Sequence, residues 1–219
     1  MRLRIFSAMT ALVSSVCVLA GCAQSIPVPS VPEQSSSEQS SSEQSSSEQS
    51  MPEGIAFSPV VCRWEITPCY GTLLDCITTS VEVYSDNTVK VYCGGFSDGE
   101  ASMDYIYGES YEITEEQKQS VIDAIKDNEV YTLGDCGDYD SCDGATQYIR
   151  LFDKDGKEAY TCGGLNPFVD RFSNTVKVIK GILPEKVVAE VNAKAREKLE
   201  GYLLENYPDR YGWLKSDGE

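Results

Sequence analysis

Cysteines and carboxylates are the side chains in this chain whose number and spacing could do chemistry, and there is no histidine to assist them. Without histidine, Ser-His-Asp, Cys-His and His-metal centres are excluded together. The remaining motif-level options fail as well, because no S-x-x-K, G-x-G-x-x-G or P-loop pattern occurs. Zinc sites favour close cysteine pairs, and no C-x-x-C is present. The sequence therefore predicts no metal, no cofactor and no catalytic residue. Cys62, Cys69, Cys76, Cys93, Cys136, Cys142 and Cys162 read instead as disulfide-forming thiols of an exported domain. Cys69–Cys76 and Cys136–Cys142 are the preferred bridges, since each closes a short, turn-rich loop. Cys93 and Cys162 then remain, each ending a strand just before Gly-Gly, and Cys62 is the odd thiol.

The carboxylates are numerous but unspecific. Asp135, Asp138, Asp140 and Asp143 crowd the loop DCGDYDSCDG, yet their spacing lacks the 1-3-5 carboxylates, the glycine at 6 and the glutamate at 12 of a calcium loop. A solvated acidic loop is the expectation. Two carboxylates could in principle hydrolyse a glycoside, but nothing in the pattern singles out a pair. Tyr105, Tyr107 and Tyr111 could offer a stacking face for sugar or peptide, although aromatic residues are common in half-buried strands.

The N-terminus supplies an address. Arg2 and Arg4 precede an apolar run from Phe6 to Ala20, which is short of the roughly 20 residues a membrane span needs. Leu19-Ala20-Gly21-Cys22 closes the run and resembles a bacterial lipobox. That resemblance implies removal of residues 1–21 and lipidation of Cys22, hence an anchor on the extracytoplasmic face of the cell membrane. Two or more acyl chains hold a protein stably where one does not. Residues 22–54 then form a tether: IPVPSVP followed by a five-residue Ser/Glu/Gln repeat without an aromatic residue, too polar to bury a core. The formal charge of −17 argues against nucleic acid as a partner.

Residues 55–219 contain every Tyr and Trp and must be the folded part, one domain by length. Val81, Val83, Val89 and Val91 alternate about Ser85-Asp86-Asn87; a three-residue turn with Asn87 left-handed pairs Val83 with Val89 and Glu82 with Lys90. Residues 148–152 and 158–162 form a second hairpin turning at Gly156. Residues 103–113 read as a further strand. Thr114-Glu115-Glu116-Gln117 is a capping box opening a helix with Val121, Ile122 and Ile125 on one stripe. Asn166-Pro167 opens a second helix carrying Phe168, Phe172, Val176, Ile179 and Leu183, and a third follows Pro184 with Val187, Val191, Ala195, Leu199 and Tyr202. The expected fold is α+β: a mostly antiparallel sheet built from hairpins, one inserted helix and two C-terminal helices.

ITPCYGT at 66–72, the hairpin SVEVYSDNTVKVY and the helix ITEEQKQSVIDAI together resemble an uncharacterised family of bacterial envelope domains with a Thr-Pro-Cys-x-Gly-Thr-Cys-Pro-x-Tyr signature. Thr67, Pro68, Cys69, Gly71 and Thr72 match it; Leu73-Leu74-Asp75 separate them from Cys76. The resemblance spans roughly residues 60–183 and implies a fold and an envelope location, but no activity. The sequence thus points to a lipid-anchored, non-catalytic domain that binds a protein or peptide. A structural or protease-inhibitor-like domain and a His-free carboxylate hydrolase are the alternatives.

Overall fold

The computed structural model describes residues 58–140 and 143–218. The fold is α+β, and its centre is a six-stranded antiparallel sheet ordered β6-β3-β2-β1-β7-β8. The strands are β1 (Val60–Pro68), β2 (Thr78–Tyr84), β3 (Thr88–Gly94), β6 (Tyr107–Glu112), β7 (Ala145–Phe152) and β8 (Glu158–Leu165). A two-stranded hairpin, β4 (Phe96–Asp98) and β5 (Ala101–Met103), branches off after β3. Helix α1 (Glu115–Asp127) lies between β6 and β7, while α2 (Asp170–Gly181), α3 (Val187–Asn206) and the single turn α4 (Pro208–Tyr211) follow β8.

Strand alternation assigns one side chain in two to each face of the sheet. Cys62, Trp64, Val81, Val83, Val89, Val91, Ile149 and Leu151 share the buried face, and the registers place them side by side across β3, β2, β1 and β7. Helices cover this face. Lys180 of α2 lies over the Trp64 ring at 4.7 Å, Asn192 of α3 donates to Thr79 Oγ1 at 2.9 Å, and Lys194 reaches Glu109 on β6. Helix α3 presents Val187, Val191, Ala195, Leu199 and Leu203, all buried, at the 3–4 spacing of a core-facing stripe.

The first hairpin has the register expected of it: Val83 pairs with Val89, Val81 with Val91 and Glu82 with Lys90, around Asn87 at φ 67°. Gly156 likewise takes a left-handed φ of 75° in the second hairpin. The box at α1 is also present, with Gln117 N–H donating to Thr114 Oγ1 at 3.2 Å and Thr114 N–H to Gln117 Oε1 at 2.9 Å.

Three local expectations are corrected. Residues 103–113 form two strands, β5 and β6, because the chain leaves the hairpin at Met103 before joining β3 at Tyr107. Helix α2 starts at Asp170 and not at Asn166-Pro167. Asn166 is left-handed (φ 44°), and its side chain accepts from Ala145 N–H and donates to the Asp143 carbonyl, which ties the end of β8 to the start of β7. As a consequence Phe168 lies ahead of the helix and is 70% exposed, while Phe172, Val176 and Ile179 are buried as expected.

Candidate functional site

The sheet ends at a groove. Pro68 closes β1, and Tyr70 stands 62% exposed just beyond it. Gly71 follows at φ 111°, a conformation costly for any residue with a Cβ, and a Cβ there would meet Asp75 at 2.9 Å. The chain then makes a short turn, Leu73–Asp75, in which the Asp75 carboxylate accepts from the N–H and the hydroxyl of Thr72 at 2.8 and 2.7 Å. These Thr72 bonds, aided by Arg196 of α3 at 2.6 Å, hold the Asp75 carboxyl below the usual carboxylate range. Pro68, Tyr70, Gly71 and Asp75 therefore shape one wall of a cleft whose opposite wall is α3.

Two cavities make up the groove, of about 840 Å³ and 470 Å³, and they meet at Pro68, Ala189 and Asn192. The larger runs from Tyr70 and Gly71 along Ala193 to Glu197 and Glu200. The smaller is floored by Trp64 and Ile66 and closed by Leu183, Pro184 and Val188. Ala189 and Ala193, one turn apart on α3, are both exposed, and their methyl groups leave the space open that longer side chains would fill. On the other flank of α3, Lys194 binds Glu109, and Lys198 lies over the Tyr107 ring at 4.6 Å. Glu109 also accepts from Tyr107 and Tyr111. Lys194 first, then the two tyrosines, hold its carboxyl down to about 2.

The face of the sheet away from the helices carries a second polar constellation. Arg63 donates to Glu82 through Nε and Nη2 at 2.7 and 2.6 Å and lies 3.5 Å from Glu65. Arg150 binds Glu65 at 2.6 Å and Glu158 at 2.8 Å. Tyr84 and Tyr92 both donate to Glu82, whose side chain is only 8% exposed. This ladder crosses β3, β2, β1, β7 and β8 with each carboxylate matched to a guanidinium. Burial raises the Tyr84 and Tyr92 phenols, with the Glu82 charge adding to it, so both stay protonated donors. These ion pairs brace the sheet across its strands.

The cysteines are distributed by the strand order. Cys62, Cys69, Cys76, Cys93, Cys136 and Cys162 are separate thiols, so no expected bridge among these six is formed; Cys22 and Cys142, with the Cys136–Cys142 bridge, lie outside the described residues. Cys69 and Cys76 are exposed at the motif loop, and Cys69 Sγ lies 3.2 Å from Thr146 Oγ1. Cys93 on β3 and Cys162 on β8 have four strand spacings between them. At about 4.8 Å per spacing that is roughly 19 Å, far beyond the 7 Å Cα limit of a disulfide, so these two thiols cannot pair. Cys162 has a nearer neighbour. Asp135 bridges Gly163 in parallel, and Cys136 N–H donates to the Gly163 carbonyl at 2.9 Å, which brings Cys136 beside Cys162. Burial, and then the nearby Cys136, pushes the Cys162 thiol up to about 12, and burial alone does the same for Cys62.

The acidic loop is internally bonded. Tyr139 and Gly137 N–H donate to the Asp135 carboxylate, and Asp140 N–H donates to Asp138. Among the described residues no three acidic or cysteine side chains converge as metal ligands. The tyrosines do not form one face: Tyr107 and Tyr111 are half-buried against the helices, whereas Tyr105 is 59% exposed and leans on Tyr92 with ring centres 6.0 Å apart.

Sequence reasoning missed both constellations. Strand β1 was missed too, although the alternation of Cys62, Trp64 and Ile66 was a signal for it; the small residues Ala189 and Ala193 beside polar Asn192 were a faint trace of the groove. No protein-family model matches the chain, and comparison with curated proteins returns no match.

Proposed function

We propose that this is a lipid-anchored envelope protein, held at the extracytoplasmic face through Cys22, whose domain binds a protein or peptide segment without catalysis. The observation that carries the binding reading is the groove between the loop after β1 and α3: long and open, with an apolar floor at one end that Lys180, Glu185 and Lys186 border, and Asp75, Arg196, Glu197 and Glu200 at the other. Binding sites are concave, largely apolar and furnished with a few polar groups, and this groove fits that description. A hydrolase would need one carboxylic acid kept protonated beside one ionised. The carboxyl shifts at Asp75, Glu109 and Glu158 all run downward, the last through Thr161 and Arg150 acting against burial.

Ala193→Trp tests the reading, since it fills the groove from an exposed helix position without touching the core. An immobilised array of random nine-residue peptides should retain the wild-type full chain on a subset of spots, and the variant should lose those spots while melting at the same temperature. Equal retention of both proteins would show that the groove is not the binding surface.

A further inference from the structure

Resting on that reading, we propose that the groove takes an extended peptide in which a basic side chain lies about five or six residues from an aliphatic one. The charge pattern of α3 leads there. Its cations are already engaged: Lys194 with Glu109, Lys198 over Tyr107, Arg196 with Asp75. Glu197 and Glu200, one turn apart and both on the groove, have no ionic or hydrogen-bonding partner among the described residues. Two like charges at this helical spacing repel, and a ligand cation placed between them relieves the repulsion. Tyr70, exposed on the facing rim, adds a ring over which a lysine or guanidinium can lie.

The other end selects differently. Trp64, Ile66, Leu183 and Val188 line the smaller cavity with apolar surface suited to an aliphatic side chain. Val188 and Glu200 stand twelve residues apart on one continuous helix, about 18 Å at 1.5 Å per residue. An extended chain covers that distance in about five or six residues at roughly 3.3 Å each. A helical ligand would need twice as many. The ligand is therefore read as an apolar anchor, a spacer and a cation, recognised by position along the groove.

The test extends the same random peptide array to three proteins: the wild-type full chain, Glu197→Lys/Glu200→Lys and Ala193→Trp. Peptides retained by the wild type should be enriched about three- to tenfold in Lys or Arg at a set distance from Leu, Ile or Val, the range expected of one or two partly exposed ion pairs. Raising the salt concentration should lower that enrichment. The charge-reversed variant should prefer Asp or Glu at the same position. Retention that Ala193→Trp abolishes but that shows no basic preference, or the same preference after charge reversal, overturns this inference and leaves the binding reading standing. Retention unaffected by Ala193→Trp overturns both.

Discussion

Glu82 offers the sharpest test of how the sheet is held together. Its carboxylate sits in the middle of the open face, 8% exposed, and receives Arg63 twice and the hydroxyls of Tyr84 and Tyr92. Glu82→Leu leaves Arg63 without its main partner. Orphaning one member of a buried pair costs about 3–5 kcal/mol. The cost here should be smaller, because the Arg63 side chain is 28% exposed and retains Glu65 at 3.5 Å; about 2–3 kcal/mol is expected. Arg63→Met/Glu82→Leu removes both charges and keeps an aliphatic stem over Phe152, where the guanidinium now lies 5.2 Å from the ring centre. Such apolar replacement of an ion pair is close to neutral, so the double variant should lose less than about 1 kcal/mol. Urea unfolding resolves the difference: with a slope of about 2 kcal/mol/M, the single variant's midpoint falls by about 1–1.5 M and the double variant's by less than about 0.5 M. A single variant within about 0.5 kcal/mol of wild type would refute the reasoning, as would a double variant whose loss equals the sum of the two single losses.

Glu109 gives a pH signature. Its folded value of about 2 lies below the ordinary value of about 4.3, so its contribution is present above that value and fades as pH falls toward 2. The melting-temperature gap between wild type and Glu109→Gln should therefore close between pH 5 and pH 2, and a constant gap would count against the Lys194 and tyrosine contacts. With reduced native protein, iodoacetamide should label the exposed Cys69 and Cys76 first, while Cys62 and Cys162, buried and pushed up to about 12, react only after unfolding. Native labelling of Cys62 would contradict the placement of β1, and a Cys93–Cys162 crosslinked peptide after oxidation would contradict the strand order. Cys22→Ser should leave an uncleaved precursor or free the protein from membranes; a mature, membrane-bound variant would rule out the lipid anchor.

The hairpins and helices were legible in the sequence because local rules decide them. A three-residue turn at Ser85-Asp86-Asn87 can place the valines on one face in only one register, and the box at Thr114 and Gln117 specifies a helix start from four residues. Where a local signal had a competing tertiary use, the local reading failed. Asn166-Pro167 is a good helix opening, but Asn166 is drawn into bonds with residues 143 and 145, and α2 waits until Asp170.

Strand order lies beyond such rules. Cys93 and Cys162 occupy equivalent positions in their hairpins and look like partners along the chain, yet β2, β1 and β7 come between them. What brings Cys136 beside Cys162 is one stretch of loop pairing with the edge of β8, a contact with no periodicity to announce it. The groove has the same origin. Tyr70 and Asp75 lie far from Glu200 in sequence, and each is unremarkable there; they share a site because burying the apolar stripe of α3 on the sheet lays its Ala189–Ala193 flank against the end of β1. By itself the sequence determined the first and last hairpins of the sheet, the start of α1 and the buried stripes of the helices, since backbone geometry and side-chain alternation act over a few residues. Only the tertiary structure decided which edges and flanks meet, because that depends on how the apolar faces of distant segments can all be buried at once.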